Sequence, residues 1–320
     1  MLIDQDKLAV ANTAVVERFN GLFTSSSPFG QFDSFLDVVP SSGLTSEIPF
    51  ASPTGTWERW ISAKSMSSLK AFKQSIEFRR YHYSIEIDRK DLAYDQAGVV
   101  GKHIGAQMAK AKGEHLKIIA DEMFSASGAG PTGYDGVAWL STAHPMANGS
   151  TQSNKTTSAL SFSTYDAAYM AMTSYLGHNG QPLGIVPDTL VVGPKNRKVA
   201  FDIAGGNLRP VAVNSSNAYA DPGGTLTPVA ATAITNVFQG EIKVIVSDRL
   251  VGTQDDYAYL MCTSLPDKPF LLVEQRAPEL ISQFDMASSL RFYQDKFAWS
   301  VETDCCPAPG FPLLTHGFIL

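Results

Sequence analysis

Residues 81–98 read YHYSIEIDRKDLAYDQAG and lie at the centre of the stretch 57–145, which decides the fold. Up to Asp88, tyrosine and isoleucine alternate with polar residues, and this period of two predicts a half-buried β-strand. From about Ala97 to Phe124 the apolar residues recur at helical spacing, which predicts an amphipathic helix roughly 40 Å long. A strand followed by a long helix, with no cofactor fingerprint and no nucleophile motif, indicates a scaffold.

The long helix contains glycines and histidines. Glycines inside a helix cost about 1 kcal/mol each relative to alanine, so we expect another backbone to pass close by. His103 and His115 do not have the i, i+4 spacing of a pair of metal ligands on one helix face. We therefore expect both histidines to face solvent or to cap the helix. The glycines that thin its first half are Gly98, Gly101, Gly105 and Gly113.

Composition narrows the class of protein. The chain has 320 residues, enough for a substantial core divided between two compact lobes. Its 44% hydrophobic and 18% charged residues exclude a largely disordered protein. The formal charge of −6 argues against a nucleic-acid-binding surface as the main activity, because such a surface needs clustered Lys and Arg.

Targeting and redox signals are weak. Residues 1–7 lack a basic start followed by an apolar core, so we expect no secretory signal. No run of about 18 apolar residues occurs, which predicts no membrane span. Three cysteines cannot make a disulfide framework and fit a reducing cytoplasm. The adjacent Cys305 and Cys306 lack the spacing of a zinc site, so we expect packing thiols rather than metal ligands.

The amino-terminal region predicts a helix followed by an extended arm. Residues 4–24 place Leu8, Val15 and Phe19 at near-helical spacing. Residues 32–50 alternate loosely and predict an extended segment. An extended aromatic segment without a local partner packs either on another chain or on the chain's own sheet. The sequence leaves both alternatives open.

Residues 46–83 predict a long two-stranded excursion whose return strand ends at Asp88. Its first half is strand-like at 47–50 and 56–61, and its middle, 62–68, is rich in Ser and Lys. At about 3.3 Å per residue, roughly 17–20 residues each way would project some 50–60 Å. A two-stranded ribbon is marginal by itself in water. A projection of this length therefore implies partner surfaces.

The remainder of the chain predicts a mixed α+β architecture. A helix starts near Ser163 or Thr164, one of which we expect to be its N-cap. Residues 207–227 form a long polar loop, and loops of this length are usually functional or mobile. The other expected elements are strands at 190–192, 241–247 (with Ile242, Val244 and Val246 inward), 257–261 and 270–273, a helix at 195–204 closed by Gly205-Gly206, and a return from 290 to 302.

An enzyme is the competing class of function. Asp135, His144 and many serines are available, yet no Gly-x-Ser-x-Gly elbow is present. The glycine clusters at 128–130 and 223–224 lack the strand, helix and lysine of a phosphate loop. His144, directly before Pro145, is expected to be a turn residue. The sequence therefore predicts no catalytic, cofactor-binding or metal-binding residues.

In their order along the chain, these features resemble the major head subunit of Mu-like phages and prophages. The resemblance covers nearly the whole chain, and its specificity lies in the order of short motifs. Tyr94, where an acidic residue is common, and Trp139-Leu140, in place of a paired aromatic, depart from the family pattern. The matching motifs are Trp57 with Arg59, Tyr83-Ser84-Ile85-Glu86-Ile87-Asp88-Arg89, Asp95-Gln96-Ala97-Gly98, Tyr134-Asp135-Gly136-Val137-Ala138-Trp139, Thr142-Ala143-His144-Pro145 and Asp188-Thr189-Leu190-Val191-Val192-Gly193-Pro194.

The resemblance implies the Hong Kong 97 capsid fold, an α+β architecture. In that fold the loop at 207–227 would lie near the axial contacts between subunits. The implied divisions are an N-terminal arm (1–45), an extended loop (46–88), a peripheral domain with a spine helix (89–160), an axial domain (161–265) and return strands of the peripheral domain (266–320).

The same resemblance implies a major capsid protein that self-assembles into the icosahedral head shell of a tailed phage and encloses its DNA genome. Arms and ribbons would overlap between subunits. The implied partners are other copies of the chain in pentamers and hexamers, a separate scaffolding protein or protease, a portal, a decoration protein, and packaged DNA held without sequence-specific contact. The implied location is the virion, after assembly in the host bacterial cytoplasm. The alternatives are an encapsulin-like nanocompartment shell protein and a hydrolase.

Overall fold

The computed structural model describes residues 5–24, 29–43, 45–52, 70–94, 99–124, 130–146, 149–177, 180–206, 208–211, 232–236, 238–283 and 289–320. The chain forms two compact units, the first comprising Met1–Trp139 and Asp267–Pro312 and the second Leu140–Pro266 and Leu313–Leu320. The elements in chain order are α1 (Gln5–Phe23), β1 (Leu36–Pro40), β2 (Thr45–Ser52), β3 (Lys70–Glu77), β4 (Arg79–Asp88), α2 (Arg89–Tyr94), α3 (Val99–Met123), β5 (His144–Pro145), β6 (Thr151–Gln152), β7 (Lys155–Thr156), α4 (Phe162–Thr173), β8 (Thr189–Val192), α5 (Arg197–Gly205), β9 (Leu208–Val211), β10 (Thr232–Thr235), β11 (Lys243–Val246), β12 (Ala258–Met261), β13 (Phe270–Gln283), α6 (Ser289–Gln294), β14 (Lys296–Pro309) and β15 (Thr315–Phe318).

A four-stranded sheet with the order β1-β13-β14-β4 forms the centre of the first unit. β13 runs parallel to β1 and antiparallel to β14, which in turn is antiparallel to β4. Helices α1 and α3 cover one face of this sheet. Their core contains Val15 and Phe19 of α1, Ile104 and Met108 of α3, and Trp299 of β14.

The change of period in the sequence is confirmed. β4 alternates between exposed and half-buried residues, and its half-buried Tyr83, Ile85 and Ile87 pack against the helix-covered core. The helix expected from Ala97 to Phe124 spans Val99–Met123. The helix expected at 4–24 is α1. These are the segments with the most regular apolar spacing, and burial of one face stabilises each of them.

The predicted ribbon is confirmed in part. β2 and β3 pair antiparallel, from Thr45 opposite Glu77 to Ser52 opposite Lys70. The expectation that the same ribbon continues to Asp88 is wrong, because β4 pairs along its length with β14 instead. Only inside that larger sheet can the isoleucines of β4 reach the helix-covered core. The strand expected at 56–61 and the Ser-rich segment 62–68 lie outside the described residues.

The alternative left open for the extended arm is decided for one part of it. β1 pairs in parallel with β13, from Leu36 opposite Phe270 to Pro40 opposite Glu274. Phe32 and Phe35, just before this strand, are buried. This part of the arm therefore belongs to the chain's own sheet.

The second unit is built on a five-stranded sheet with the order β11-β8-β12-β15-β7. β8 is parallel to β11 and antiparallel to β12, which is antiparallel to β15. Every residue of β8, β12 and β15 is buried. Strands buried on both faces read as continuous apolar runs rather than alternating ones. That is the pattern from which the strands at 190–192 and 257–261 were expected.

The N-cap of α4 differs from the expectation. Ser161 is the cap: its Oγ accepts a hydrogen bond from the backbone N–H of Thr164 at 3.2 Å. In return, the Thr164 hydroxyl accepts one from the Ser161 backbone N–H at 2.8 Å. This reciprocal capping box ties up two backbone donors at once. The expectation of Ser163 or Thr164 as the cap is therefore wrong.

Two further expectations are corrected. The return expected from 290 to 302 begins as helix α6 and becomes strand only at Lys296. In the strand expected at 241–247, Ile242 is buried as expected, but within β11 the buried residue is Ile245, whereas Val244 and Val246 are half-buried. α5 ends at Gly205 with Gly206 as its C-cap, as expected, and the backbone of Gly206 is extended. Of the loop 207–227 only Leu208–Val211 are described, as β9 paired with β10.

The glycines of α3 do not mark a crossing backbone at the positions described. A Cβ built on Gly105 would lie 3.3 Å from Nε of Arg18, a side chain of α1. A Cβ on Gly113 would have nothing within 4 Å. The expectation of a close backbone is therefore wrong at both, and Gly98 lies outside the described residues. Among the described helices, none combines the length and apolar composition needed to cross a membrane.

Candidate functional site

Asp135 and His144, the residues available for catalysis, lie in different units. Asp135 Oδ1 accepts a hydrogen bond from the backbone N–H of Val137 at 3.3 Å, inside a tight turn. His144 is 3% exposed and begins β5, so the expectation of a turn residue is wrong. In the part of the chain that the structure describes, no group of His, Cys, Asp and Glu side chains is arranged to hold a metal ion.

His144 belongs to a buried polar contact of the second unit. The Oδ1 atom of fully buried Asn154 accepts a hydrogen bond from the backbone N–H of Ser141 at 2.8 Å. The same oxygen lies 3.0 Å from Nε2 of His144. Because this oxygen can only accept, Nε2 of His144 carries the proton. The Asn154 carbonyl also accepts from the Gly317 N–H at 2.9 Å, which ties this loop to β15.

A second polar network in the same unit surrounds His316. The Tyr175 hydroxyl donates to the Ser153 carbonyl at 2.8 Å, so it has no proton left for Nδ1 of His316, 3.0 Å away. Nδ1 is therefore the donor, and Nε2 accepts from the Thr156 hydroxyl at 2.7 Å. Burial lowers the pKa of His316 to about 4. At neutral pH the imidazole is uncharged and both ring nitrogens are paired.

His115 in the first unit is buried differently. It is 6% exposed, so the expectation that it faces solvent is wrong, whereas His103 is exposed. The rings of Phe23 and Phe29 lie 6.2 and 6.1 Å from its ring. Among the described residues neither ring nitrogen has a hydrogen-bond partner. Burial, together with the nearby Lys112 charge, lowers the pKa of His115 to about 4.

A cavity of about 60 Å³ lies beside His115, between α3 and the sheet. Its walls are largely apolar and include Phe23, Tyr81, Tyr83 and Val301. A space of this size holds a few water molecules at most. Its polar lining side chains include His82, His115 and Thr303, which come from three different elements.

The root of the ribbon is anchored on the four-stranded sheet. Ile76, near the end of β3, is 5% exposed and packs in a cluster with Leu271 and Val273 of β13 and Cys306 of β14. Phe78 packs against the same cluster. The Gln74 side chain donates to the Thr132 carbonyl at 3.0 Å. Burial of one isoleucine side chain stabilises by about 1.5–3 kcal/mol. The ribbon therefore leaves the sheet from a fixed base.

Ion pairs follow directly after this root. Arg80 donates from Nε to Oδ1 of Asp304 at 3.1 Å. Arg276 lies 3.4 Å from the other oxygen of Asp304 and 3.1 Å from Glu302. The Asp304 side chain is only 13% exposed, whereas that of Arg80 is 77% exposed. A nearly buried carboxylate is tolerated here because two guanidinium groups neutralise it.

One face of the four-stranded sheet is open to solvent. On β4 the side chains of His82, Ser84 and Glu86 are exposed, and on β13 those of Glu279 and Ile281. They lie opposite the face covered by α1 and α3, because neighbouring residues of a strand point to opposite faces. This open face is a surface on which other chains can pack.

Two exposed tyrosines mark one end of the same sheet. Tyr94 at the end of α2 is 69% exposed, and Tyr293 in α6 is 81% exposed. The backbone N–H of Arg89, at the start of α2, donates to the carbonyl of Asp295 at 3.0 Å, which holds the two short helices at the same end. Exposed tyrosines are enriched at protein interfaces because their rings bury large area at low entropic cost.

The amino-terminal helix is held on its own unit. Asn12 of α1 accepts a hydrogen bond from Nε1 of Trp299 at 3.1 Å. Val15 and Phe19 lie in the same core as α3. The described part of the arm therefore has partners within its own chain.

The cysteines are packing residues, as expected from their sequence context. Cys262, Cys305 and Cys306 are all buried free thiols. Burial raises the pKa of Cys305 to about 12. A thiol in that state is protonated at neutral pH and unreactive.

The anchoring residues were not identified from the sequence. Ile76 and Phe78 precede the alternating strand, and their spacing places both on one side of an extended chain. That signal was present, but it gave no partner. Arg80 and Asp304 are too far apart in sequence for their pairing to be seen in any local pattern.

A family model described as Mu-like prophage major head subunit gpT matches residues 8–161 and 154–222, well over half of the chain. A search of curated proteins gave no significant match.

Solved structures of phage-like particles are similar in fold. A chain of the procapsid of bacteriophage JBD30 is 15% identical with a TM-score of 0.53, over 99% of this chain and 76% of that one. A chain of the JBD30 capsid decorated with minor capsid protein trimers is 16% identical with a TM-score of 0.50, over 69% of this chain and 90% of that one. A chain of the capsid of an empty GTA particle is 12% identical with a TM-score of 0.52, over 91% of this chain and 90% of that one. These likenesses confirm the α+β, Hong Kong 97-type capsid fold.

Proposed function

This chain belongs to the family of Mu-like prophage major head subunits, and we propose that its β2–β3 ribbon overlaps a neighbouring copy in an icosahedral phage head. As a major capsid protein it acts by self-association. The observation that supports overlap is the ribbon itself, which is paired only within itself along Thr45–Ser52 and Lys70–Glu77 in the described chain. A two-stranded ribbon is marginal in water unless another surface covers it.

We assign the two compact units to the two domains of the capsid fold. The unit built on the four-stranded sheet would be the peripheral domain, with α3 as its spine helix, and the other unit the axial domain. The two compact units change at Leu140 and Asp267, and Leu313–Leu320 belong to the second unit. The sequence places the corresponding changes after 160 and after 265 and assigns all of 266–320 to the peripheral domain. The short strands β5–β7 pack with β15 through Asn154, which favours the earlier boundary.

Overlap through the N-terminal arm is the weaker part of the proposal. α1 would have to leave the core that it shares with α3 and give up the Asn12–Trp299 hydrogen bond. β1 would have to leave its sheet. In the described chain β2 and β3 pair only with each other, so we place the main overlap in the ribbon. Many modest contacts of this kind sum by multivalency, while each remains weak enough to rearrange during assembly.

The remaining partners are proposals that rest on family membership. They are a separate scaffolding protein or protease, a portal, a decoration protein, and DNA packaged without sequence-specific contact. The protein would assemble in the cytoplasm of the host bacterium and remain in the virion. We propose no catalytic role, and the commitment of Asp135 and His144 to local hydrogen bonds supports this. Membership in a head-subunit family favours the phage shell over a nanocompartment shell.

The test is to replace residues 53–69 with a short Gly-Ser turn and compare assembly with the full chain. We expect the full chain to give closed shells by electron microscopy, alone or with the scaffolding protein of its own gene cluster. The shortened chain should keep its far-UV circular dichroism and remain unassembled. A matched control replaces the exposed Lys198 of α5 by Ala, which leaves the ribbon unchanged and should give normal shells. Normal shells from the shortened chain would contradict overlap through the ribbon.

A further inference from the structure

We propose that Ile76, Phe78 and Gln74 are positioning residues that set the direction in which the ribbon leaves the sheet. The inference rests on the proposed overlap of the ribbon with a neighbour, and it adds the residues that aim it. Its basis is the abrupt change of strand partner at the end of β3.

A single residue separates the ribbon from the sheet. Glu77 of β3 still pairs with Thr45 of β2, and Arg79 of β4 already pairs with Cys305 of β14. Phe78 alone joins these two sheets. Such a short joint transmits direction only if the side chains next to it are held, because backbone torsions at one residue can swing a long ribbon widely.

The side chains next to the joint are held on several sides. Ile76 is buried against β13 and β14, with Val39 of β1 at the edge of the same cluster. Gln74, two residues earlier, is hydrogen-bonded to the Thr132 carbonyl of a different loop. Between them, Ser75 is exposed, and so is Glu77 after them. The inward residues of β3 at 74 and 76 therefore contact the body of the unit, and the outward ones do not.

The other side of the joint is held by charge. Arg79 lies 3.7 Å from Glu122 near the end of α3, and Arg80 donates to Asp304 of β14. Helix α3 and strand β14 thus contact Arg79 and Arg80, the first two residues of β4. Strands β13 and β14 contact Ile76, the last inward residue of β3. With residues held on both sides of the one-residue joint, the root fixes the direction in which the ribbon leaves the sheet. A change in the root then changes where the ribbon reaches on a neighbour.

The experiment compares Ile76→Ala with Ser75→Ala, a matched change at the exposed neighbour in the same strand. In the unassembled subunit, amide hydrogen exchange in 45–52 and 70–77 should be faster by about tenfold in Ile76→Ala and unchanged in Ser75→Ala. Exchange in β12 and β14 should stay as in the parent chain. By electron microscopy, Ile76→Ala should give few closed shells and a broad spread of diameters, and Ser75→Ala should give normal shells.

If Ile76→Ala does not fold, Ile76→Val carries the test, because it removes one methyl group and retains a β-branched strand residue. It should then raise ribbon exchange measurably above that of Ser75→Ala and broaden the shell diameters. Unchanged ribbon exchange, or a loosened ribbon with shells of normal yield and diameter, would overturn the inference. If the chain with 53–69 replaced also gives normal shells, the overlap itself fails. If the chain with 53–69 replaced fails to assemble but the Ile76 variants give normal shells, overlap through the ribbon stands and only the positioning role of Ile76 is rejected.

Discussion

The two units treat their sheets in opposite ways. In the second unit β8, β12 and β15 are buried at every residue. In the first unit β4 and the latter half of β13 alternate, so that one face of the sheet stays open to solvent. Within the described residues, the three central strands of the second unit's sheet are therefore covered on both faces, whereas the sheet of the first unit keeps one face open to solvent, next to a ribbon and two exposed tyrosines.

The buried histidines follow the same division. His316 of the second unit has both ring nitrogens in hydrogen bonds, to Tyr175 and Thr156. His115 of the first unit lies among aromatic rings without such partners in the described chain. Buried polar groups that are fully hydrogen-bonded favour one arrangement of the core, whereas a buried polar group without a hydrogen bond lowers the stability of the fold. The first unit therefore holds a local weak point beneath the helices that cover its sheet.

The largest expected effect comes from destabilising each unit separately by a Gly→Ala substitution, which adds one methyl group. A Cβ on Gly193 would lie 2.4 Å from the Leu250 carbonyl oxygen, and a Cβ on Gly310 2.3 Å from that of Lys268. Because these neighbours are backbone atoms, Gly193→Ala and Gly310→Ala should each cost about 3 kcal/mol or more. Hydrogen exchange should rise in β8 and β12 for the first variant and in β13 and β14 for the second. The same exchange pattern in both variants would contradict the division into two units.

Acid should weaken both units through their buried histidines. The pKa of His115 and that of His316 are each lowered to about 4, from an unfolded value near 6.5. Between these values the unfolded chain binds more protons than the folded one, so stability is full above about pH 6.5 and falls as the pH drops toward 4. Each histidine accounts for a loss on the order of 3 kcal/mol over that window. Thermal unfolding of the unassembled chain from pH 7 to pH 4 measures it, and a flat melting temperature would refute it.

Replacing each histidine by leucine should give changes of opposite sign. His115→Leu removes an imidazole that has no hydrogen-bond partner among the described residues, and it should stabilise the first unit by about 1–3 kcal/mol. His316→Leu leaves the Thr156 hydroxyl without its partner and should destabilise the second unit by about 1–3 kcal/mol. Chemical denaturation followed by unit-resolved exchange distinguishes them. If both substitutions destabilise the protein by a similar amount, the expectation is contradicted, because the His115 imidazole must then make a stabilising contact.

The smallest expected effect concerns two glycines of α3. Gly113→Ala meets open space and should stabilise α3 by about 1 kcal/mol, the difference in helix propensity. Gly105→Ala is the control, since its Cβ would lie 3.3 Å from Arg18 Nε and part of the gain is spent on moving that side chain. Melting temperatures measured side by side should rank Gly113→Ala above Gly105→Ala. The reverse order would mean that the neighbourhood of Gly113 is more crowded than its geometry indicates.

Local periodicity predicts much of this fold, and long-range pairing does not follow from it. The sequence predicts β4, α1 and α3 because each element buries one face, and burial of one face requires a regular spacing of apolar residues. The partner of β4 could not, because Arg79 to Asp88 pair with residues more than 200 positions away. For this reason the sequence predicts a ribbon whose return strand extends to Asp88, whereas the ribbon ends at Glu77.

Burial of single residues escaped prediction for a related reason. His115 looks like any polar residue on a helix until Phe23 and Phe29, far away in sequence, cover it. Ser161 caps α4 with Thr164, whereas the usual box signature has Glu or Gln at that position. The root cluster of Ile76 depends on strands near the end of the chain. In each case the sequence does not show which other residues will pack against the one in question.

The most direct test of the account is a cryo-electron microscopy map of the assembled shell, followed along β2 and β3. We expect the ribbon to leave its own sheet at Phe78 and to lie on a neighbouring copy of the chain. The two units of each subunit should keep the sheets described above. A map in which the ribbon contacts only its own subunit would contradict the central claim.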